Sequence, residues 1–172
     1  MRKIKLYIAA SIDGFIAPPD GDLEWLVNTP RPSQSDYQSF LDSIDTVIIG
    51  GNTYRNMFCM DIIWPYKDKI IYVVTRNPII EKEKVNYITT DVIQSINQLK
   101  QGEGKDIWLV GGGELAVWLH EHNLIDEVII THIPVILDKG IPLFTNLAEK
   151  WDLSESQSYG NNGHKDIYKY VG

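Results

Sequence analysis

The most pointed chemistry in the sequence is a run of three glycines. Ile107-Trp108-Leu109-Val110 is a continuous apolar stretch, Gly111-Gly112-Gly113 follows at once, and Glu114-Leu115-Ala116 opens a helical pattern. Gly111, Gly113 and Ala116 therefore meet a G-x-G-x-x-G/A spacing. A strand that turns through glycine into a helix can bind a diphosphate. Without a Cβ the phosphate reaches the backbone amides, and the helix N-terminus adds unpaired N–H donors and about half a positive charge. The same residues also suit a plain tight turn with no ligand. A second turn, Gly50-Gly51-Asn52-Thr53, likewise separates an apolar strand from a helix start, where amides and the Thr53 hydroxyl can meet another phosphate. A third strand ends in Thr75-Arg76, a hydroxyl beside a guanidinium. Ligands of open α/β sheets collect at the carboxyl ends of the strands. Anion-friendly ends on three strands suit a ligand with three separated phosphates, a description that NADPH meets.

A standard dinucleotide-binding Rossmann domain fits poorly. That fold carries its glycine fingerprint in the opening βαβ unit and an acidic residue at the end of the following strand. Here the fingerprint comes after most of the strands, and the next strand ends Ile130-Thr131-His132-Ile133 without a carboxylate.

Segments of two hydrophobic periods must position these turns. Residues 3–10 alternate like a strand, and Ser11-Ile12-Asp13-Gly14 breaks it. Tyr37, Phe40, Leu41 and Ile44 fall on one helical stripe, with Ser33 as N-cap and Asp36 complementing the helix dipole. Residues 46–49 form a short apolar run, the mark of a strand covered on both faces. A short helix over 52–57, strands over 69–75 and 85–89, and a helix striped by Val92, Ile96 and Leu99 follow. Leu115, Trp118, Leu119 and His122 mark the helix beyond the glycines. Residues 127–133 form a strand that Pro134 confines to an edge or an early finish. Residues 152–159 and 165–171 flank Gly160-Asn161-Asn162-Gly163 as a hairpin. Alternating β and α units predict a mostly parallel sheet covered by helices, and the closing hairpin adds an antiparallel edge. No repeat or linker divides residues 1–172, which read as one α/β domain.

Composition narrows the partners. In 172 residues, 16 basic side chains against 23 acidic ones give a formal charge of −7, which argues against a nucleic-acid or anionic-membrane surface. No apolar run spans a bilayer, and a single cysteine, Cys59, excludes a disulfide framework. A cytoplasmic protein with a small-molecule partner is the expectation. His120 and His122, two apart on a helix, do not face the same way and make a poor metal pair, so no metal site is expected. Trp25 lies in a polar loop where its ring would be wet unless a ligand or partner subunit covers it.

Several motifs, in collinear order over nearly the whole chain, resemble the dihydrofolate-reductase-like superfamily, and most closely the reductase domain of bacterial riboflavin-biosynthesis deaminase/reductases. They are Ala10-Ser11-Ile12-Asp13-Gly14, Glu24-Trp25, residues 50–54, Val74-Thr75-Arg76, residues 107–115, Leu124-Ile125-Asp126-Glu127 and Gly140-Ile141-Pro142-Leu143-Phe144. The resemblance implies a three-layer α/β/α fold with a mixed sheet of about eight strands, NADPH as hydride donor, and a homodimer. It assigns Ala10, Trp25, Gly51, Asn52, Thr53, Thr75, Arg76, Gly111, Gly112, Gly113, Glu114 and Leu115 to the cofactor. Residues 17–24 become a flap over the nicotinamide. Asp36-Tyr37-x-x-Phe40 resembles the stretch around the active-site carboxylate of dihydrofolate reductase, which makes Asp36 a candidate proton donor. Asp13 is the other candidate, and it also suits a turn before Gly14. The implied activity is a reductase acting on a small heterocycle, either a pyrimidine like the riboflavin precursors or a pterin; an NADPH-binding relative with a regulatory role is the alternative. The chain departs from the riboflavin reductases at Tyr7, where they carry lysine, at Val110, where they carry glutamate, and at Gly51, where many carry arginine. Arg55 is placed to compensate for the last of these.

Overall fold

A computed structural model of the chain describes residues 1–22, 24–26, 29, 33–59, 66, 68–78, 85–111, 113–143, 150–160 and 162–172. Its centre is an eight-stranded sheet formed by β1 (Ile4–Ser11), β3 (Ile44–Gly50), β4 (Ile70–Val74), β5 (Val85–Ile88), β6 (Asp106–Gly111), β7 (Glu127–Ile133), β9 (Trp151–Tyr159) and β10 (Gly163–Tyr170). The strand order is β5-β4-β3-β6-β1-β7-β10-β9. The strands from β5 to β7 pair in parallel, and β10 and β9 close the far edge in antiparallel fashion. β2 (Phe15–Ala17) and β8 (Ile141–Pro142) form a separate two-stranded ribbon.

Side-chain alternation along the parallel strands sorts the core into two layers. On one face Ile4, Leu6, Ile48, Ile107, Leu109, Val128 and Ile130 pack under α3 (Val92–Gln101) and α4 (Gly113–Glu121), through Ile96, Ala116 and Leu119. On the other, Val47, Ile49, Ile71, Val73 and Trp108 pack under α1 (Gln34–Asp42) and α2 (Gly51–Cys59), through Phe40, Leu41 and Tyr54. Helices on both faces make the three-layer α/β/α architecture, with an eight-strand mixed sheet, that the family resemblance implies, and the antiparallel closing hairpin is the one the sequence pattern predicts. Each fully buried isoleucine or leucine in these layers contributes roughly 1.5–3 kcal/mol relative to exposure.

Ser33 caps α1 as its residue type suggests, its hydroxyl accepting the Asp36 amide at 3.2 Å. Ile44 is not on the helix. Ser43 ends α1, its amide bonding to the Ser39 and Phe40 carbonyls, and Ile44 becomes the first residue of β3 with no solvent exposure. Pro134 acts through an early finish rather than an edge, because β7 lies inside the sheet between β1 and β10. β2 and β8 escape sequence patterning because three and two residues are too short for any period to show. No helix among the described residues is long and apolar enough to cross a membrane.

Candidate functional site

The strand order brings the three glycine- and threonine-bearing ends together, since β4, β3 and β6 are neighbours and run in parallel. Gly50 pairs with Val74, and Ile49 lies between Val73 and Gly111. Glycine at position 51 is a steric necessity: a Cβ there would stand 2.5 Å from Thr75 Oγ1. The contact lets the end of β4 lie against the first turn of α2. Arg55 joins the two, donating to Asn52 Oδ1 at 2.6 Å and to Thr75 Oγ1 at 3.5 Å. Asn52 and Arg76 are exposed, and Thr53 and Thr75 half-buried. The mouth of α2 is therefore a polar collar carrying two guanidinium groups and the free amides of a nine-residue helix.

The glycine turn after β6 is built differently. A bulge in the β3–β6 ladder, between Ile48 and Ile49, leaves Val110 without a register partner just before Gly111. Bulges re-aim the chain that follows them. Gly111 has φ +141°, and a side chain there would meet nothing within 4 Å, so its Cα faces open space. At Gly113, where α4 begins, a Cβ would press on Ile16 and Ile141 at 3.2 Å each. The β2–β8 ribbon thus packs directly on the start of α4. Gly112 lies outside the described residues, as does Phe144. Glu114 is exposed and Leu115 half-buried.

Beside this turn the sheet opens. The β1–β6 ladder covers only Ile4, Lys5 and Leu6, yet β1 runs on to Ser11 and β6 to Gly111. The two strands part, and the β6-facing backbone of β1 beyond Leu6 has no ladder partner. Ala10 stands on that free stretch, but its side chain is buried among the α3/α4 layer, which leaves only its backbone to line the opening. The ribbon roots the segment 17–24. Within it Gly21 (φ +77°) closes a turn to the Pro18 carbonyl at 2.9 Å, and the Asp20 and Asp22 carboxylates each accept an amide two residues on. Trp25 follows in the short 3-10 turn Glu24–Leu26, and its indole Nε1 is buried without a hydrogen-bond partner among the described residues.

On the α1 face an aromatic group packs around Tyr7, the first β1 residue beyond the β1–β6 ladder. The Tyr7 ring meets Phe40 edge-on at 4.7 Å, and Trp108 meets Phe40 at 5.3 Å and Tyr66 at 5.2 Å. The Trp108 indole nitrogen is buried and unpartnered among the described residues. Burial raises the Tyr7 phenol above its ordinary pKa; the nearby Thr131 hydroxyl opposes the shift, and the Asp36 carboxylate adds to it. Asp36, at the third position of α1, therefore shares one polar neighbourhood with Tyr7 and Thr131. Tyr159 joins them from the hairpin. Its ring lies across Gly163, where a Cβ would be 2.6 Å away, and its hydroxyl donates to the His132 carbonyl at 3.3 Å. Burial, with Tyr7 adding, pushes its phenol up to about 12.

Asp13 is placed elsewhere. Its carboxylate accepts the Leu137 amide at 3.2 Å and the Asp138 amide at 2.8 Å, pinning the chain just before β8. The Ser11 hydroxyl and these amides hold its pKa below the usual carboxylate value. That is the reverse of what a proton donor near neutrality needs, and its bonds are those of an anchor for the distant 137–138 segment. Thr131 and Tyr159 were outside the sequence-derived candidates. The Thr131-His132 pair is the one available signal, whereas Tyr159 reaches the group only through hairpin pairing.

Comparison with known proteins agrees with this geometry. The family described as the RibD C-terminal domain matches residues 2–164. Two relatives come from Bacillus subtilis (strain 168). The uncharacterized protein YwjB is 40% identical over 153 residues, covering 88% of each chain, and the uncharacterized protein YyaP is 30% identical over 186 residues, covering 99% of this chain and 96% of its own. Among solved structures, a Shewanella sp. PV-4 protein provisionally named for riboflavin biosynthesis superposes with a TM-score of 0.84 at 25% identity over 99% of both chains. Dihydrofolate reductase from Enterococcus faecalis, solved with NADP(H), gives 0.72 at 16% identity over 99% of this chain and 97% of its own, a likeness of fold. By sequence and by architecture, this chain belongs to the RibD C-terminal domain family.

Proposed function

We propose that the chain is an NADPH-dependent reductase that delivers a hydride to a small heterocycle of pyrimidine or pterin type. The observation that carries this reading is the parting of β1 from β6 beside the glycine turn, at the point where Tyr7, with Phe40 and the Asp36 carboxylate near it, leaves the ladder. A planar ring entering that opening meets unpaired β1 backbone at Ala10, and dinucleotide phosphates meet amides where α2 and α4 begin. The residues fit such a ligand: Gly51, Asn52, Thr53, Thr75 and Arg76 on one side, Gly111 to Leu115 on the other, with Trp25 as cover from the flap.

When bound, the nicotinamide supplies the hydride. The protein's part is orientation, exclusion of water and a proton. Tyr7, Phe40 and Trp108 form a wall for a flat substrate ring. Asp36 holds a proton for a ring nitrogen, with Tyr7 and Thr131 completing the polar group. Asp13 contributes by anchoring the segment before β8 rather than by touching the reacting atoms. In the same reading the protein acts as a cytoplasmic homodimer, checked by light scattering of the purified chain.

Calorimetric titration with NADPH, followed by NADPH oxidation assays over a panel of pyrimidines and pterins, tests this. Asp36→Asn is expected to lower kcat about 100-fold while leaving the NADPH Kd unchanged. Absence of NADPH binding overturns the reading. Binding without oxidation of any panel member favours a non-catalytic NADPH-binding protein, a second reading that the replacement of polar substrate-side groups by Tyr7 and Val110 supports.

A further inference from the structure

His132, His164 and Asp166 lie on the opposite side of the sheet from Thr131 and belong to none of the above. His132 and His164 are directly paired across β7 and β10, and Asp166 follows His164 by two on the same face. The imidazole rings stack at 4.2 Å with 13° between their planes. Asp166 Oδ2 stands 3.1 Å from His132 Nε2 and 3.6 Å from His164 Nε2, and one ligand atom from each residue lies within 4.8 Å of the others.

We propose that these three side chains bind a divalent transition-metal ion of the zinc class, clamping the C-terminal hairpin onto the parallel sheet. Three features of the cluster carry this. First, the spacing suits a common ion: ligands about 2.0–2.1 Å from a tetrahedral metal stand about 3.3 Å apart, and the separations of 3.1 and 3.6 Å bracket that value. Second, Asp166 is a carboxylate only 8% exposed, and among the described residues no lysine or arginine pairs with it. A buried carboxylate without a permanent cation is costly, and a metal ion supplies one. Third, the donors are held as ligands are held. Ser156 donates to Asp166 Oδ1 at 2.6 Å, the Tyr168 hydroxyl donates to Oδ2 at 3.4 Å, and the Tyr159 hydroxyl bonds the His132 carbonyl. His132 Nε2 is buried with Asp166 Oδ2 3.1 Å away, close enough for the two atoms to share one ion. The His164 side chain, 44% exposed, is free to close the last gap and leaves coordination positions open to water. Two imidazoles and one carboxylate select borderline ions such as Zn²⁺, Co²⁺ or Ni²⁺ over Mg²⁺ or Ca²⁺.

The test uses tag-free full-length protein stripped with a chelator, titrated with Co²⁺ by visible absorption and with Zn²⁺ by calorimetry. One ion per chain is expected, with a rise in Tm on adding Zn²⁺. His164→Ala, at a half-exposed position that tolerates truncation, and Asp166→Asn abolish the stoichiometric event. Ser156→Ala weakens it about 10-fold at unchanged stoichiometry, and His122→Ala on α4 leaves it intact. Absence of a Co²⁺ ligand-field band in the parent, or equal affinity in the parent and His164→Ala, overturns the site. Mg²⁺ serves as the control ion, and displacement of Zn²⁺ by equimolar Mg²⁺ would also overturn it.

Discussion

The two ends of the parallel strands are built on opposite principles. At the amino end, charges are paired and enclosed. Arg2, only 8% exposed, bonds Asp45 and Thr46; Lys100, 6% exposed, bonds Asp126 at 2.7 Å and the Leu124 carbonyl at 3.2 Å. Asp126 also accepts the Ile4 amide, and Lys5 pairs with Asp106 at 2.9 Å. At the carboxyl end the strands separate and glycines replace side chains; Arg76 and Asn52 are exposed, and the Trp25 indole has no hydrogen-bond partner among the described residues. One end is satisfied within the chain and the other is left for something outside it. Polar groups that the fold does not use for itself mark where a ligand is to be sought.

Mutations should separate the two ends. The largest effect is expected from Asp126→Ala, which strands buried Lys100 and an orphaned Ile4 amide. Loss of one partner of such a pair costs about 3 kcal/mol, read as a lower urea midpoint, while NADPH binding per folded molecule is unchanged. Next, Arg76→Ala should weaken NADPH about 10-fold, the worth of one exposed charge-assisted contact, with no change in Tm. If Arg76→Ala unfolds the protein, or Asp126→Ala abolishes binding by folded molecules, the division of labour fails. Ser33→Ala removes the cap of the helix that carries Asp36 and should cost about 1 kcal/mol, visible in thermal melts. Smallest is an acid effect. Burial raises the Asp45 pKa, but the Lys105 amide, Thr46 and Arg2 outweigh it, so the folded value lies below that of an ordinary carboxylate. A depressed carboxylate stabilises above its unfolded pKa and loses that contribution as pH falls through the folded value. Stability should therefore decline below about pH 4, and Asp45→Asn should flatten that part of the profile.

Much of this was legible in the sequence. The alternation of apolar runs and helical stripes gave the order of elements in the main sheet, because buried parallel strands and amphipathic helices carry distinct periods. The glycine turns were legible as well, since a missing side chain is a local signal. Features created by pairing between distant segments were not. Nothing in Lys5 or Tyr7 announces that the β1–β6 ladder stops at Leu6. His132 is paired with His164 only because β10 returns beside β7, and a search by helical spacing considers His120 and His122 instead. Asp13 stands in a recognisable motif that suggested chemistry, whereas its bonds to Leu137 and Asp138 join segments 124 and 125 positions apart and exist only in the fold.

The position of β1 also governs how the chain acquires this shape. β1 is flanked in the finished sheet by β6 and β7, and its register pairs Ile4 with Ile107 and Ser11 with Ile133. During synthesis it has no neighbour in this sheet until those later strands leave the ribosome, so an apolar strand waits exposed in the meantime. Contacts so distant in sequence are slow to form, and a waiting strand is open to pairing with other chains. Yield of soluble protein should therefore respond to expression temperature and to chaperones that shield amino-terminal segments.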